Sequence, residues 1–294
     1  MRRRSLLAWC TVASLLLASL APRAVRAQAP AADAPVQEIL LRDGSRLFGR
    51  VVATAPDTLV VVTTAGARVA IPRAQVERMR VATGRAVDGA FWGEDPNLSR
   101  LFFTSTARPL PRGEGYVSSF MLFFPFVAYG VTDRFTMAGG TPIIPDAIGQ
   151  VFYLAPKVAV AHRPGADYAV GALGFFSSKE EGSVGVLYGS GTWGTSDRAV
   201  TAGAGWGYAS SGSTLDLASK PVLVLGGEWR VSRRTKLVTE NWIPVGSTSH
   251  FVSGGVRFIG ERISADLGLG TFGSGGCCVP LVNFVWNFGG GARP

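Results

Sequence analysis

The chain has 294 residues, of which 47% are hydrophobic and 17% charged, with 29 basic and 20 acidic side chains, 38 glycines, three cysteines and two histidines. Three cysteines do not build a disulfide framework, and so few cysteines and histidines leave little for a metal centre. The formal charge of +9 would suggest an acidic partner, but much of it resides in the first residues.

Residues 1–27 begin with Arg2, Arg3 and Arg4, continue through an apolar run from Leu6 to Leu20, and end in small residues at Val25 and Ala27. This is the pattern of a secretory signal peptide cut after Ala27, too short to span a bilayer. Bulky Trp9 before Cys10 argues against a lipoprotein site. The cut removes five arginines and leaves 24 basic against 20 acidic residues, a net charge of +4. No basic patch with interleaved aromatics remains, so nucleic acid is not an expected partner. Cys277 and Cys278 are neighbours, a geometry that resists mutual bonding, and they lack zinc spacing. Neither a metal nor a cofactor is expected.

Residues 28–35 read as an Ala/Pro tether. From 36 to 82, five short strands are expected near 36–42, 45–54, 58–64, 67–72 and 76–81. They are punctuated by Asp43-Gly44, Pro56-Asp57, Ala65-Gly66 and a tight turn at Pro72–Gln75. Five short strands with a one-turn helix before the last resemble a small SH3-like or Sm-like barrel. Arg46, Arg50, Arg68, Arg73, Arg78 and Arg80 give it a basic surface, either a solvated face or a docking surface for a periplasmic protein or cell-wall polymer.

Residues 83–97 read as a linker. From 98 to 288 the runs lengthen to about 8–12 residues between turns, which fits the 9–11 residues of a tilted membrane strand better than the usual soluble strand. After the signal, no apolar run is long enough for a membrane helix. The nearest, Tyr116–Val131, is broken by Pro125. Several runs alternate: Val200, Ala202, Ala204, Trp206 and Tyr208 against Thr201, Gly203, Gly205 and Gly207; and Leu223, Leu225, Trp229 and Val231 against Glu228 and Arg230. Exported strands of this length must close on themselves in lipid. The expected fold class is therefore all-β: an antiparallel transmembrane-type barrel of about 10–12 strands after the small five-stranded barrel. Tyr116, Tyr129, Tyr153, Trp193, Trp206, Trp229, Trp242 and Trp286 are placed as interface girdles.

Within this region Arg100–Thr106, Gly113–Tyr116, Tyr129–Asp133, Gly139–Gly140 and Ala155–Lys157 resemble an uncharacterised family of bacterial outer-membrane β-barrel proteins. The resemblance implies a barrel and supplies no activity.

Glu228, Arg230, Glu240, Arg257 and Asp266 lie inside strand-like runs and should face the lumen, since lipid exposure of Arg or Lys costs about 2–4 kcal/mol at mid-depth. They form either a salt-bridge network that plugs the barrel or a polar path for a ligand. Two G-x-G-x-x-G matches, at Gly189-Gly191-Gly194 and Gly268-Gly270-Gly273, lack the following helix that nucleotide binding requires. His162 and His250 lie near turns, and a hydrolase would need one of them to meet a serine and a carboxylate.

The last run places Val282, Phe284, Trp286 and Phe288 on one face. It is similar to the closing strand by which outer-membrane barrels are recognised for assembly, followed here by a tail at 289–294. Its expected partner is a first strand near Leu101. The expected protein is non-enzymatic: an outer-membrane anchor or narrow small-solute passage with its N-terminal module in the periplasm. Its expected partners are outer-membrane lipid and the barrel assembly machinery. The rival is a soluble periplasmic lipocalin-like binder with its apolar face inward and Glu228 and Arg230 in water.

Overall fold

The computed structural model describes residues 34–145, 147–179, 182–273 and 278–289. The signal sequence, most of the tether, Cys277 and the tail beyond Gly289 lie outside the described residues. Two compact units divide at Ala82/Thr83. Among the described residues there is no α-helix, and no helix long and apolar enough to cross a membrane.

The N-terminal unit is one five-stranded antiparallel sheet: β1 (Gln37–Leu41), β2 (Arg46–Thr54), β3 (Thr58–Thr63), β4 (Arg68–Pro72) and β5 (Val76–Val81), in the order β4-β3-β2-β1-β5. A single 3-10 turn at Arg73–Gln75 precedes β5. Gly44 and Gly66 hold φ of 84° and 87° at the hairpin tips, a left-handed conformation that costs glycine little. One sheet face buries Ile39, Val61 and Ile71 against Leu47, Val51 and Val69. Glu38 is buried between Arg80, at 2.5 Å, and Arg46, at 3.5 Å.

The second unit opens with a hairpin of β6 (Gly84–Val87) and β7 (Ala90–Gly93). Twelve further strands close into an antiparallel barrel. They are β8 (Gly115–Phe120), β9 (Phe124–Gly130), β10 (Phe135–Gly140), β11 (Val151–Arg163), β12 (Ala166–Ser177), β13 (Ser183–Gly194) and β14 (Arg198–Ser211), then, after a short β15 (Thr214–Leu217) that extends β14, β16 (Val222–Ser232), β17 (Thr235–Pro244), β18 (Phe251–Phe258), β19 (Ile263–Phe272) and β20 (Val279–Phe288). Closure comes from β20 on β8, with Phe288 opposite Gly115, Trp286 opposite Val117 and Asn283 opposite Phe120. Closing the ring gives each of the twelve wall strands a partner on both sides, the arrangement that satisfies backbone groups without water. The partner of the last strand is thus Gly115–Phe120 and not a strand near Leu101.

The two ends differ. One carries the tight connections 131–134, 164–165, 195–197, 233–234 and 259–262; the other carries longer ones, such as 141–150 and the β15 excursion. The wall also varies in height. Strands β8, β9 and β10 have six, seven and six residues, whereas β11–β14 have 12 to 14. The apolar run 116–131 folds here as the β8–β9 hairpin. Its turn holds Met121 and Leu122 at φ 49° and 65°, values that cost a side-chain-bearing residue about 1–3 kcal/mol each.

Candidate functional site

Parity along each strand sorts the side chains. On β16, Trp229 is 54% exposed while its neighbours Glu228 and Arg230 are 5% and 6% exposed. On β19, Ile263, Leu267 and Leu269 are exposed while Ser264 and Asp266 are buried. On β20, Phe284 and Trp286 lie outside, with Asn283 and Val285 inside. The barrel therefore carries its apolar face outward and its charges inward. This is the reverse of a soluble barrel.

The lumen at the tight-turn end is filled by the chain itself. Residues 94–112 leave β7, run into the lumen and return to start β8. A tight hairpin at the tip has Leu101 N–H donating to Thr104 O at 2.8 Å and Thr106 N–H to Ser99 O at 3.0 Å. Asp95, Asn97, Arg100, Leu101, Phe102, Thr106, Ala107 and Leu110 are all buried. Leu101 and Phe102 pack with Val238 and Leu281; Leu110 packs with Tyr116, Ala128 and Val285. Gly226 makes room for the tip, since a Cβ there would stand 2.1 Å from Leu101 Cδ1.

Four of the five sequence-expected charges meet this plug. Asp266 accepts from Arg257 Nε at 2.8 Å and from Arg100 Nη1 of the plug at 2.6 Å. Arg257 also donates to Leu101 O at 2.6 Å and lies 3.6 Å from Glu228. Glu240 accepts from the N–H of Phe103 at 2.9 Å and from the N–H and hydroxyl of Thr104 at 3.1 and 2.6 Å. Glu228 accepts from Lys236 at 3.1 Å, and Lys236 reaches Asp95 of the plug at 2.6 Å. Arg230 stands apart at the rim. It donates to Gly93 O at 2.6 Å and to Asp197 at 3.2 Å.

On the opposite wall, buried Lys157 donates to Arg108 O and Thr106 O at 2.6 and 2.9 Å. Thr192 and Thr136 accept from the N–H groups of Ala107 and Leu110 at 2.9 and 3.0 Å. These partners supply backbone hydrogen bonds that an irregular segment inside a barrel cannot make with itself. Asp95, Asn97, Arg100 and Arg108 escaped the sequence reading because they occupy a stretch with no periodicity. Lys236 and Asn283 were findable, since Lys236 pairs with Arg230 and Arg257 and Asn283 with Asp266, charges already singled out on the neighbouring strands.

At the tight-turn rim Trp92 lies between two guanidiniums, 5.4 Å from Arg85 and 5.3 Å from Arg230. Asp197 bridges the same two arginines, with Arg85 Nε at 2.5 Å. Burial pushes the Asp197 carboxyl up, but Arg85 and Arg230 outweigh it and hold it below the usual carboxylate range. Arg85, Trp92, Asp197 and Arg230 line an open cleft of about 250 Å³.

The girdle expectation divides. Tyr129, Trp193, Trp206, Trp229 and Trp286 are exposed on the outside, whereas Tyr116 and Tyr153 are buried. Trp242 faces inward, its Nε1 donating to Glu240 at 2.7 Å. Both G-x-G-x-x-G matches sit on β13 and on β19 with its following turn, away from any helix. His162 is exposed near the end of β11 with Nδ1 2.6 Å from Asp167, and His250 is exposed before β18. Cys278 is a free, exposed thiol. Among the described residues no group of three His, Cys, Asp or Glu could hold a metal ion.

No protein-family model matches the sequence, and no curated protein does. Among solved structures, the KdgM porin in complex with disordered oligogalacturonate is similar at a TM-score of 0.42 and 7% identity, over 59% of this chain and 95% of that one. OmpT, an outer membrane protein of Vibrio cholerae, is similar in its loop L8 deletion form at a TM-score of 0.34 and 12% identity, over 87% of this chain and 97% of that one.

Proposed function

We propose that this protein is a non-enzymatic outer-membrane barrel whose lumen is sealed by its own plug, and that it anchors the N-terminal unit in the periplasm. The observation that carries the reading is the inversion of faces: apolar side chains such as Leu225, Trp229 and Leu267 are exposed while Glu228, Arg257 and Asp266 are buried. A soluble lipocalin-like binder would bury the first set and hydrate the second. The tight turns fit the periplasmic end and the longer loops the outer surface, as in outer-membrane barrels generally. Outward Phe284 and Trp286, with Phe288 at the end of β20, suit recognition by the barrel assembly machinery.

Of the two roles open to such a barrel, the plug favours anchoring. Its ion pairs and backbone hydrogen bonds bury the lumenal charges across most of the wall, so passage of a solute requires the plug to move. The N-terminal sheet, read as SH3/Sm-like, suits docking of a periplasmic protein or cell-wall polymer. Arg68, Arg73 and Arg78 are exposed there, while Arg46 and Arg80 are engaged by Glu38.

Fractionation and gel mobility test the reading. The protein should stay in the outer-membrane detergent fraction and migrate differently before and after boiling. Recovery from the soluble periplasm with no mobility shift would sink it. For the docking role, charge reversal at Arg68, Arg73 and Arg78 in the full chain should abolish co-purification of a periplasmic partner.

A further inference from the structure

The short strands have a consequence for the bilayer. A six-residue strand at about 3.3 Å per residue, tilted by about 40°, rises only about 15 Å, whereas the apolar band of a membrane barrel is about 25 Å tall. On the β8–β10 side the hydrogen-bonded wall therefore stops partway through the apolar layer. Above it stand the β8–β9 turn and the stretch 141–145, joined by Ile143 N–H donating to Phe123 O at 2.7 Å. Leu122, Phe123, Ile143 and Ile144 are exposed there. They continue upward the lipid-facing surface of Val117 and Val127.

Behind this low wall the lumen changes chemistry. Phe124, Phe120 and Phe103 of the plug tip follow one another, with centroids 6.5 and 4.8 Å apart. The row continues to Trp242 at 5.7 Å and Phe251 at 6.4 Å. These rings are only partly buried. The row runs from the low side across the lumen, above the plug, and Glu240 is the last charge beneath it.

We propose that the β8–β10 side is a lateral opening through which an alkyl chain passes between the bilayer and this aromatic row, with 141–145 lying across it as a strap. The inference rests on the membrane-barrel reading above. Continuity with the lipid-facing surface selects a bilayer-borne molecule, since a water-borne solute would meet apolar side chains at this side. The one charge at the row, Glu240, is taken up by Trp242 Nε1 and the N–H groups of the plug tip, so the ring faces select an apolar chain. The left-handed Met121 and Leu122 are part of the device, because a relaxed turn would not hold Phe123 against Ile143.

The test uses the full chain in lipid nanodiscs, with Cys277→Ser and Cys278→Ser, and 11-dansylaminoundecanoic acid as the probe. Energy transfer from Trp242 to dansyl, read as the difference between this chain and its Trp242→Phe variant because four other tryptophans face outward, should saturate. The pair Phe123→Cys and Ile143→Cys, oxidised to a cross-link, should slow probe entry at least tenfold, and reduction should restore it. Ile143→Lys, which needs no cross-link, should slow entry as well. Unchanged entry in both the cross-linked and the lysine variants would overturn the lateral route. A heat-modifiable barrel that never saturates with probe would overturn the inference and leave the barrel reading intact. A chain with no heat-dependent mobility would overturn both.

Discussion

The two halves of the lumen are built from opposite materials. At the tight-turn end Arg257, Asp266, Glu228 and Lys236 grip a polar segment through ion pairs and hydrogen bonds. Toward the loops the same strands present Trp242 and Phe251, and the wall loses height at β8–β10. The difference teaches what a closed sheet can and cannot fill. Twelve strands enclose more space than their own side chains occupy, so one half borrows a stretch of chain and the other remains an aromatic-lined recess.

The sharpest way to break this contrast is Arg257→Ala. It leaves Asp266 with Arg100 alone and Glu228 with Lys236, and removing one partner of a buried pair costs about 3–5 kcal/mol. Urea unfolding in detergent should show a loss of this size. Unchanged stability with raised permeability would mean that the lumenal charges serve a path and do not hold the plug. Next in size, Leu225→Arg should cost about 2–4 kcal/mol in vesicles, because Leu225 is on the exposed apolar face that the proposed membrane role places in lipid.

How far the sequence carries this picture depends on periodicity. Strand parity placed Glu228 inside and Trp229 outside, because a period of two is imposed by the backbone itself. The same rule marked Phe284 and Trp286 as outward. It failed for Asp95 to Arg108, whose path is dictated by wall residues 49 to 181 positions away, and whose proline and short polar runs look like those of any linker. It failed again at Met121-Leu122, since a left-handed turn normally announces itself by Gly or Asn and here does not. Tyr153 and Trp242 were misplaced for a related reason: an aromatic near a strand end has a depth that sequence reveals and a side that only register decides.

Smaller effects sharpen the contrast further. Gly226→Ala should cost about 1–3 kcal/mol through crowding of the plug, and Leu101→Ala in the same chain should recover part of it. A double-mutant cycle in which the two losses simply add would mean that Leu101 does not sit on β16 in the membrane. At the rim, the Asp197 pairing is partly open to solvent and worth at most about 1 kcal/mol. Because the folded carboxyl is held below its ordinary range, that stability is fully present above the unfolded pKa and disappears as pH falls through the folded one. The difference between wild type and Arg85→Ala should accordingly be measurable at neutral pH and vanish in acid.

The position of the plug in the chain carries a consequence for assembly. Residues 94–112 precede every wall strand, and the seam that completes the wall joins Gly115–Phe120 to a strand about 165 residues later. Contacts so distant in sequence form late and slowly. The plug is therefore already present when the cylinder shuts, and its carbonyls and carboxylates can neutralise Arg257 and Lys236 as those side chains leave water. It behaves as a built-in mandrel around which the sheet is wound. A cut between 112 and 114 after assembly should leave the core standing, whereas loss of 94–112 beforehand should leave a barrel with charges it cannot hide.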